Sequence, residues 1–188
     1  MIEIKIHSKE TLDDFTKDFV NEDKLDTGSL NAMTAACAAA LFCRAAVRAP
    51  QSERQEYMVR NGEILRSYFI HMVDDDVKCR RDYVRLKKNG EEAMKIEAAM
   101  HPACTINEEI VSMCSQMLEL GLELKAMLPE EDRHLLREMA ELAYGAVKSS
   151  IAWLLNLTSR TSDETYKYVV RRENELNLET IKAYYDQY

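Results

Sequence analysis

Residues 25–46 read LDTGSLNAMTAACAAALFCRAA, and the fold turns on how this stretch is read. An Asp-Thr-Gly-Ser turn opens a run of small or apolar side chains, of which Met33, Leu41 and Phe42 are the largest. Alanine is the strongest helix former. The run therefore predicts a helix over 29–48, closed at Ala49-Pro50 because a residue before proline is pushed out of helical backbone. It reads as too short for a membrane span, which needs about 20 apolar residues, and Arg44 and Arg48 close it. The expectation is a buried central helix. Small side chains let neighbouring backbones come close and leave room for something to lie against them.

The flanking sequence extends this helical reading in both directions. Residues 1–7, MIEIKIH, read as a short extended lead. Ser8 then caps a helix carrying Leu12, Phe15 and Phe19 on one face. On the other side a helix is predicted over 52–88, with Tyr57, Ile64, Leu65, Tyr68, Met72, Val73 and Val77 at helical spacing. Asn89-Gly90 ends it. A short helix to Met100 is broken or kinked at His101-Pro102 and followed by another over 103–127. Pro129 starts a further helix at its first turn, and Thr161-Ser162-Asp163-Glu164 starts the last. No repeat or linker interrupts the chain. Residues 1–188 are expected to form one all-α domain, an elongated bundle of five to seven helices with long antiparallel members. Two helices of about 35 residues would reach roughly 50 Å. Such an elongated subunit is expected to bury its apolar flank in a homodimer.

Composition narrows the function classes. A net charge of −8 argues against nucleic acid, whose phosphates need a basic face. Five Gly and three Pro among 188 residues disfavour disorder and turn-rich β folds. The odd count of five cysteines, without a C-x-x-C pair, points to reduced thiols rather than a disulfide frame or a zinc site. The polar first 24 residues do not read as a signal peptide, so a cytoplasmic protein is expected.

With these elements in order, the chain resembles the cyclodeaminase/cyclohydrolase family. That family includes methenyltetrahydrofolate cyclohydrolases and the cyclodeaminase half of formiminotransferase-cyclodeaminase. The resemblance runs from about Leu12 to Tyr166. TLDDFTKDF (11–19) matches the family's opening helix. LDTGSLNAMTAACAAAL (25–41) stands where the family has a Thr-Pro-Gly-Gly-Gly-Ser loop and an alanine-rich helix. VDDDV (73–77) matches an acidic VDEDA pattern, Pro102 and Leu128-Pro129 match two proline positions, and SSIAWLLNLTS (149–159) matches the last motif. Departures are equally specific. Asp26 and Thr27 occupy positions near the family's triple glycine, Arg133-His134 replaces Ser-Asp, and Ala152 and Leu154 stand where the family has Asn and Arg.

The resemblance implies a one-carbon-substituted tetrahydrofolate as substrate or ligand and no cofactor or metal. Water would attack a methenyl bridge, or a formimino group would close its ring and expel ammonia. The alternative is a non-catalytic relative that binds folate or a partner protein. Either chemistry needs a proton-handling group, a negative environment for the cation and a slot for a flat ring. Three consecutive acids, Asp74, Asp75 and Asp76, point about 100° apart on a helix. Asp76 falls toward the packed side and is the first candidate catalytic group, with Asp74 second. The other reading of these acids is a solvated turn pairing with Lys78, Arg80 and Arg81. Thr27, Gly28 and Ser29 either cap the central helix or offer its amides to a ligand. Asn156, read as buried in an apolar face, would bond a pterin edge or tie two helices together. Lys148 and Ser149 would line the same groove.

Metal and thiol chemistry have weaker patterns. Glu131-x-x-His134 has the Glu-x-x-His spacing of di-iron bundles, but that design needs two copies. His7, His71, His101 and His134 show no other ligand spacing. Cys79 lies between Lys78 and Arg80, which would lower its pKa.

Overall fold

In the computed structural model, which describes residues 6–20 and 25–188, the small-residue stretch is a single helix, α2 (Thr27–Arg48). It starts two residues earlier than expected because Asp26 caps it, its carboxylate accepting the Thr27 N–H at 2.7 Å. The other helices are α1 (Leu12–Phe19), α3 (Glu53–Lys88), α4 (Ala93–Met127), α5 (His134–Thr158) and α6 (Glu164–Tyr185). Among the described residues there is no strand, so the all-α expectation holds. α3 and α4, of 36 and 35 residues, are each about 50 Å long at 1.5 Å per residue.

The alanines of α2 explain how the bundle closes around it. α2 packs against α3, α5 and α4, and Ala32, Ala35, Ala38, Ala39, Ala45 and Ala46 are fully buried. α3 runs antiparallel to it: Ser29 at the start of α2 meets Val73 and Asp76, whereas Phe42 and Cys43 near its end meet Gly62. At Gly62 a Cβ would stand 2.8 Å from Cys43 Sγ and 2.9 Å from Phe42 Cδ1, so this approach requires glycine. Phe42, Met58 and Phe69 fill the spaces the alanines leave.

By length and composition α2 does reach the size of a membrane span, which corrects the reading that the run is too short. Its place is decided by packing instead, since twelve of its residues are buried inside the bundle.

Other expectations shift for local reasons. Residues 1–5 of the predicted extended lead lie outside the described residues, and His7–Lys9 form a 3-10 turn. Thr11, not Ser8, caps α1, accepting the Asp14 N–H. Of the predicted α1 face only Phe15 enters the core; Leu12 is 74% exposed. α4 continues as one helix through the expected break at His101-Pro102. A proline inside a helix costs about 3 kcal/mol. Here burial of Met100, Ala103 and Cys104 against Tyr83, Leu154 and Leu157 offsets it. Pro129 leads into a 3-10 turn, Glu130–Asp132, and α5 begins only at His134. On α3, Leu65, Met72 and Val73 are buried as predicted, but Tyr57, Ile64 and Tyr68 form an exposed stripe on another face.

Candidate functional site

The first turn of α2 is pinned to α3 by a carboxylate. Asp76 Oδ2 accepts the Ser29 N–H at 3.1 Å and the Ser29 hydroxyl at 2.8 Å, and that hydroxyl also lies 3.1 Å from the Val73 carbonyl. The contact is possible because residue 28 is glycine: a Cβ there would be 2.6 Å from Asp76 Cγ and 3.0 Å from Asn107 Nδ2. Asp76 is fully buried. Burial pushes its carboxyl up to about 6, against the pull of Arg80 and of the Ser29 hydrogen bonds.

Arg80, one turn further along α3, links this buried acid to the surface. Its Nε is 3.6 Å from Asp76 Oδ2 and its NH1 is 3.4 Å from Asp26 Oδ2, with the side chain only 7% exposed. Behind Asp76 a second polar group crosses the alanine core. Asn31 Nδ2 donates to Asn107 Oδ1 at 3.3 Å and to Ser150 Oγ at 3.0 Å. Asp76 Oδ1, Asn107 Nδ2 and Arg80 Nε are buried without a hydrogen-bond partner in the structure. Such groups are rare in a folded core and mark this as a polar site rather than plain packing.

A cleft of about 940 Å³ opens in front of Arg80. Phe19, Val20, Leu25, Asp26 and Thr27 form one wall; Arg80, Tyr83, Val84, Lys87 and Lys88 of α3 form the second. Ser149, Ala152, Trp153, Asn156 and Leu157 of α5, with Arg160 just beyond it, form the third. Three aromatic side chains, Phe19, Tyr83 and Trp153, stand among four basic residues and Asp26. In a chain of net charge −8 this cleft gathers cations, a setting for an anionic, partly flat ligand.

The predicted residues divide between this cleft and other places. Thr27 and Asn156 line it; Gly28, Ser29 and Asp76 form the buried layer behind it. Asn156 is exposed rather than buried, because α5 turns this position to the cleft rim, and its Oδ1 accepts from Arg160 at 2.9 Å. Lys148 does not line the cleft; it is exposed, with its Nζ 4.6 Å from the centre of the Tyr144 ring, and its neighbour Ser149 faces the cleft instead. Asp74 also points elsewhere. Its Oδ1 accepts the His7 N–H at 2.7 Å and its Oδ2 accepts the Ser8 hydroxyl at 2.5 Å, holding the N-terminal turn. Asp75 is the solvated member, 2.6 Å from Lys78. So the three acids serve three separate purposes.

The thiol and metal patterns resolve differently. Burial and the charges of Asp75, Asp76 and Glu109 raise the Cys79 thiol rather than lower it, which removes the basis for a nucleophile. His134 Nδ1 lies 2.7 Å from the Glu131 backbone carbonyl, not its carboxylate.

Sequence reasoning missed Arg80 as a cleft residue, read Asp26 only as a departure from the family's glycines, and did not single out Asn31, Asn107 or Ser150. The available signal was a polar side chain on an otherwise apolar helical stripe: Asn31 among alanines, Asn107 beside Ile106, Ser150 beside Ile151.

No protein-family model and no curated protein sequence matches the chain. The solved structure of formiminotetrahydrofolate cyclodeaminase from Thermotoga maritima is similar in fold, with a TM-score of 0.86 and 15% sequence identity. The likeness covers 95% of this chain and 93% of that one. The chain thus has the all-α fold of that cyclodeaminase, in agreement with the resemblance read from its sequence.

Proposed function

We propose that the cleft binds a one-carbon-substituted tetrahydrofolate and promotes hydrolysis of its methenyl bridge or cyclisation of its formimino group. The observation that carries this reading is convergence. The α2 start, the Arg80–Lys88 stretch of α3 and the last motif of α5 line one cleft, with Asp76 buried behind Arg80, on a cyclodeaminase fold. Trp153 and Tyr83 supply flat faces for a pterin. Arg80, Lys87 and Arg160 suit the carboxylates of the glutamate end.

For the methenyl substrate, water adds to the bridging carbon and loses a proton. One carbon–nitrogen bond then breaks, its electron pair and a proton going to nitrogen, leaving a formyl group. For the formimino substrate, the anilino nitrogen outside the pterin ring attacks the formimino carbon carried by the ring nitrogen, its proton passes to the formimino nitrogen, and that nitrogen leaves as ammonia, closing the methenyl bridge. Asp26, one-third exposed on the cleft wall, is the carboxylate placed to face the cationic bridge. Asp76 acts from behind as a positioning residue that holds Arg80 and the start of α2. Neither step calls for a metal.

The sealed position of Asp76 and the apolar Ala152 on the cleft wall favour a second reading, a protein that binds folate without turning it over. Decay of methenyltetrahydrofolate absorbance separates the two when paired with calorimetry. Acceleration over buffer by folded protein supports catalysis; binding without acceleration supports the second reading. Absence of binding would overturn both.

The same reading includes a homodimer and a cytoplasmic setting. α3 exposes Tyr57, Ile64 and Tyr68 in one stripe, and α2 exposes Leu30 and Val47. A second copy covering these positions would remove them from water. Sedimentation at micromolar concentration is expected to give a dimer, and Ile64→Glu a monomer; a monomeric wild type would reject this interface. The free, buried Cys43, Cys104 and Cys114 suit a reducing compartment.

A further inference from the structure

Away from the cleft, the fold brings together three side chains whose spacing gives no recognisable ligand pattern. His7 lies in the N-terminal 3-10 turn, Glu10 follows it, and Asp18 sits near the end of α1. His7 Nδ1 is 3.3 Å from Glu10 Oε2 and 3.8 Å from Asp18 Oδ2. One ligand atom from each residue lies within 4.8 Å of the other two. The three side chains are only 6%, 8% and 8% exposed.

We propose that His7, Glu10 and Asp18 form a structural site for a divalent transition-metal ion, with Zn²⁺ the best match. A zinc ion bonds nitrogen and carboxylate oxygen at about 2.0–2.2 Å, so tetrahedral ligand atoms stand roughly 3.3–3.6 Å apart. The observed separations need only small side-chain movements to reach that geometry. One imidazole nitrogen with two carboxylates suits zinc, manganese or ferrous iron better than calcium or magnesium, which favour all-oxygen shells. Water would complete the coordination.

The scaffold presets this arrangement. Asp74 accepts the backbone N–H groups of both His7 and Ser8, which fixes the turn to α3 with His7 Nδ1 facing the carboxylates. Thr11 caps α1 and so sets the register that brings Asp18 to the same point. Phe19 and Val20, directly after Asp18, form part of the cleft wall. A bound ion would therefore brace that wall by tying α1 to the turn held by α3. This structural role is separate from the reaction proposed above and does not depend on it. The competing state is the same cluster without a metal, held by hydrogen bonds and ion pairs within the protein.

The experiment uses the full chain in a Cys37→Ser background, because Cys37 is an exposed thiol that would bind zinc by itself. The protein is stripped with EDTA, dialysed and titrated with Zn²⁺ by calorimetry. Uptake of one ion per chain is expected, with a rise in Tm. His7→Ala and Asp18→Asn should each weaken uptake roughly a hundredfold and abolish the Tm rise. Should a variant fail to fold, the Co²⁺ spectrum of the unmutated site decides. A weak visible band without an intense near-ultraviolet thiolate band supports nitrogen and oxygen ligands. No uptake, undiminished uptake by a folded His7→Ala chain, or a thiolate-dominated cobalt spectrum overturns the proposal.

Discussion

Gly28→Ala is expected to destabilise the protein by about 3 kcal/mol or more and to lower Tm by roughly 6–12 °C. The added Cβ would stand 2.6 Å from Asp76 Cγ and 3.0 Å from Asn107 Nδ2. Neither neighbour is the free end of a flexible chain. Asp76 is held by the Ser29 N–H and hydroxyl, and Asn107 by Asn31. Relief requires α2 to move away from α3 at its first turn, which would break both Ser29 hydrogen bonds and disturb Asp26 and Thr27 at the cleft. Helix propensity acts the other way, since alanine is favoured over glycine by about 1 kcal/mol inside a helix. The clash outweighs that gain. Thermal denaturation of the variant checks the result. Combining Gly28→Ala with Asp76→Ala frees the colliding volume, so the two costs should sum to at least 1 kcal/mol less than additively. A Gly28→Ala protein with wild-type Tm would show that the first turn of α2 is not held where the structure has it.

Asp76→Asn is expected to change how stability depends on pH. Burial holds the Asp76 carboxyl at about 6 in the folded chain, above its ordinary 3.8. The folded state therefore binds this proton more tightly than the unfolded state. Its stabilising contribution is fully present below about pH 4 and is lost as pH rises through about 6. The loss amounts to about 3 kcal/mol at 1.36 kcal/mol per tenfold shift in acidity. Asparagine keeps an oxygen for the Ser29 donors and has no proton to lose over this range. Between pH 4 and pH 7 the stability of Asp76→Asn relative to wild type should therefore rise by about 2 kcal/mol, the larger part of that loss. Urea unfolding at the two pH values measures it. Parallel curves for the two proteins would mean that Arg80 keeps Asp76 ionised throughout. Asp26 shares Arg80 with Asp76, so the same variant leaves the guanidinium to the cleft-facing acid alone.

Much of the fold was legible because its signals are local. The alanine run, the Ala49-Pro50 stop and the Asn89-Gly90 end bound α2 and α3 to within two residues. Local signals failed where tertiary contact outweighed them. Pro102 should interrupt a helix by its own geometry, yet apolar burial on both sides carries α4 through it. Tyr57, Ile64 and Tyr68 have helical spacing and apolar bodies, but spacing defines a stripe without saying which stripe faces inward. At the site, Asp76 and the Gly28-Ser29 turn were readable as candidates and do meet. Asp74 and Lys148 were equally readable and point elsewhere, to the Ser8 turn and to Tyr144.

Helix propensity, capping and apolar spacing act over a few residues, and they are enough to specify an all-α chain with a central helix of small residues. Which polar groups share a space depends instead on contacts between residues far apart in the chain. Ser29 and Asp76 are 47 residues apart, Asn31 and Asn107 are 76 apart, and Asn31 and Ser150 are 119 apart. Their meeting depends on the register and crossing of four helices, which the packing of every alanine, Gly62 and Phe42 sets together. The same holds for His7, Glu10 and Asp18, which become neighbours only once Asp74 of α3 has fixed the turn that carries His7.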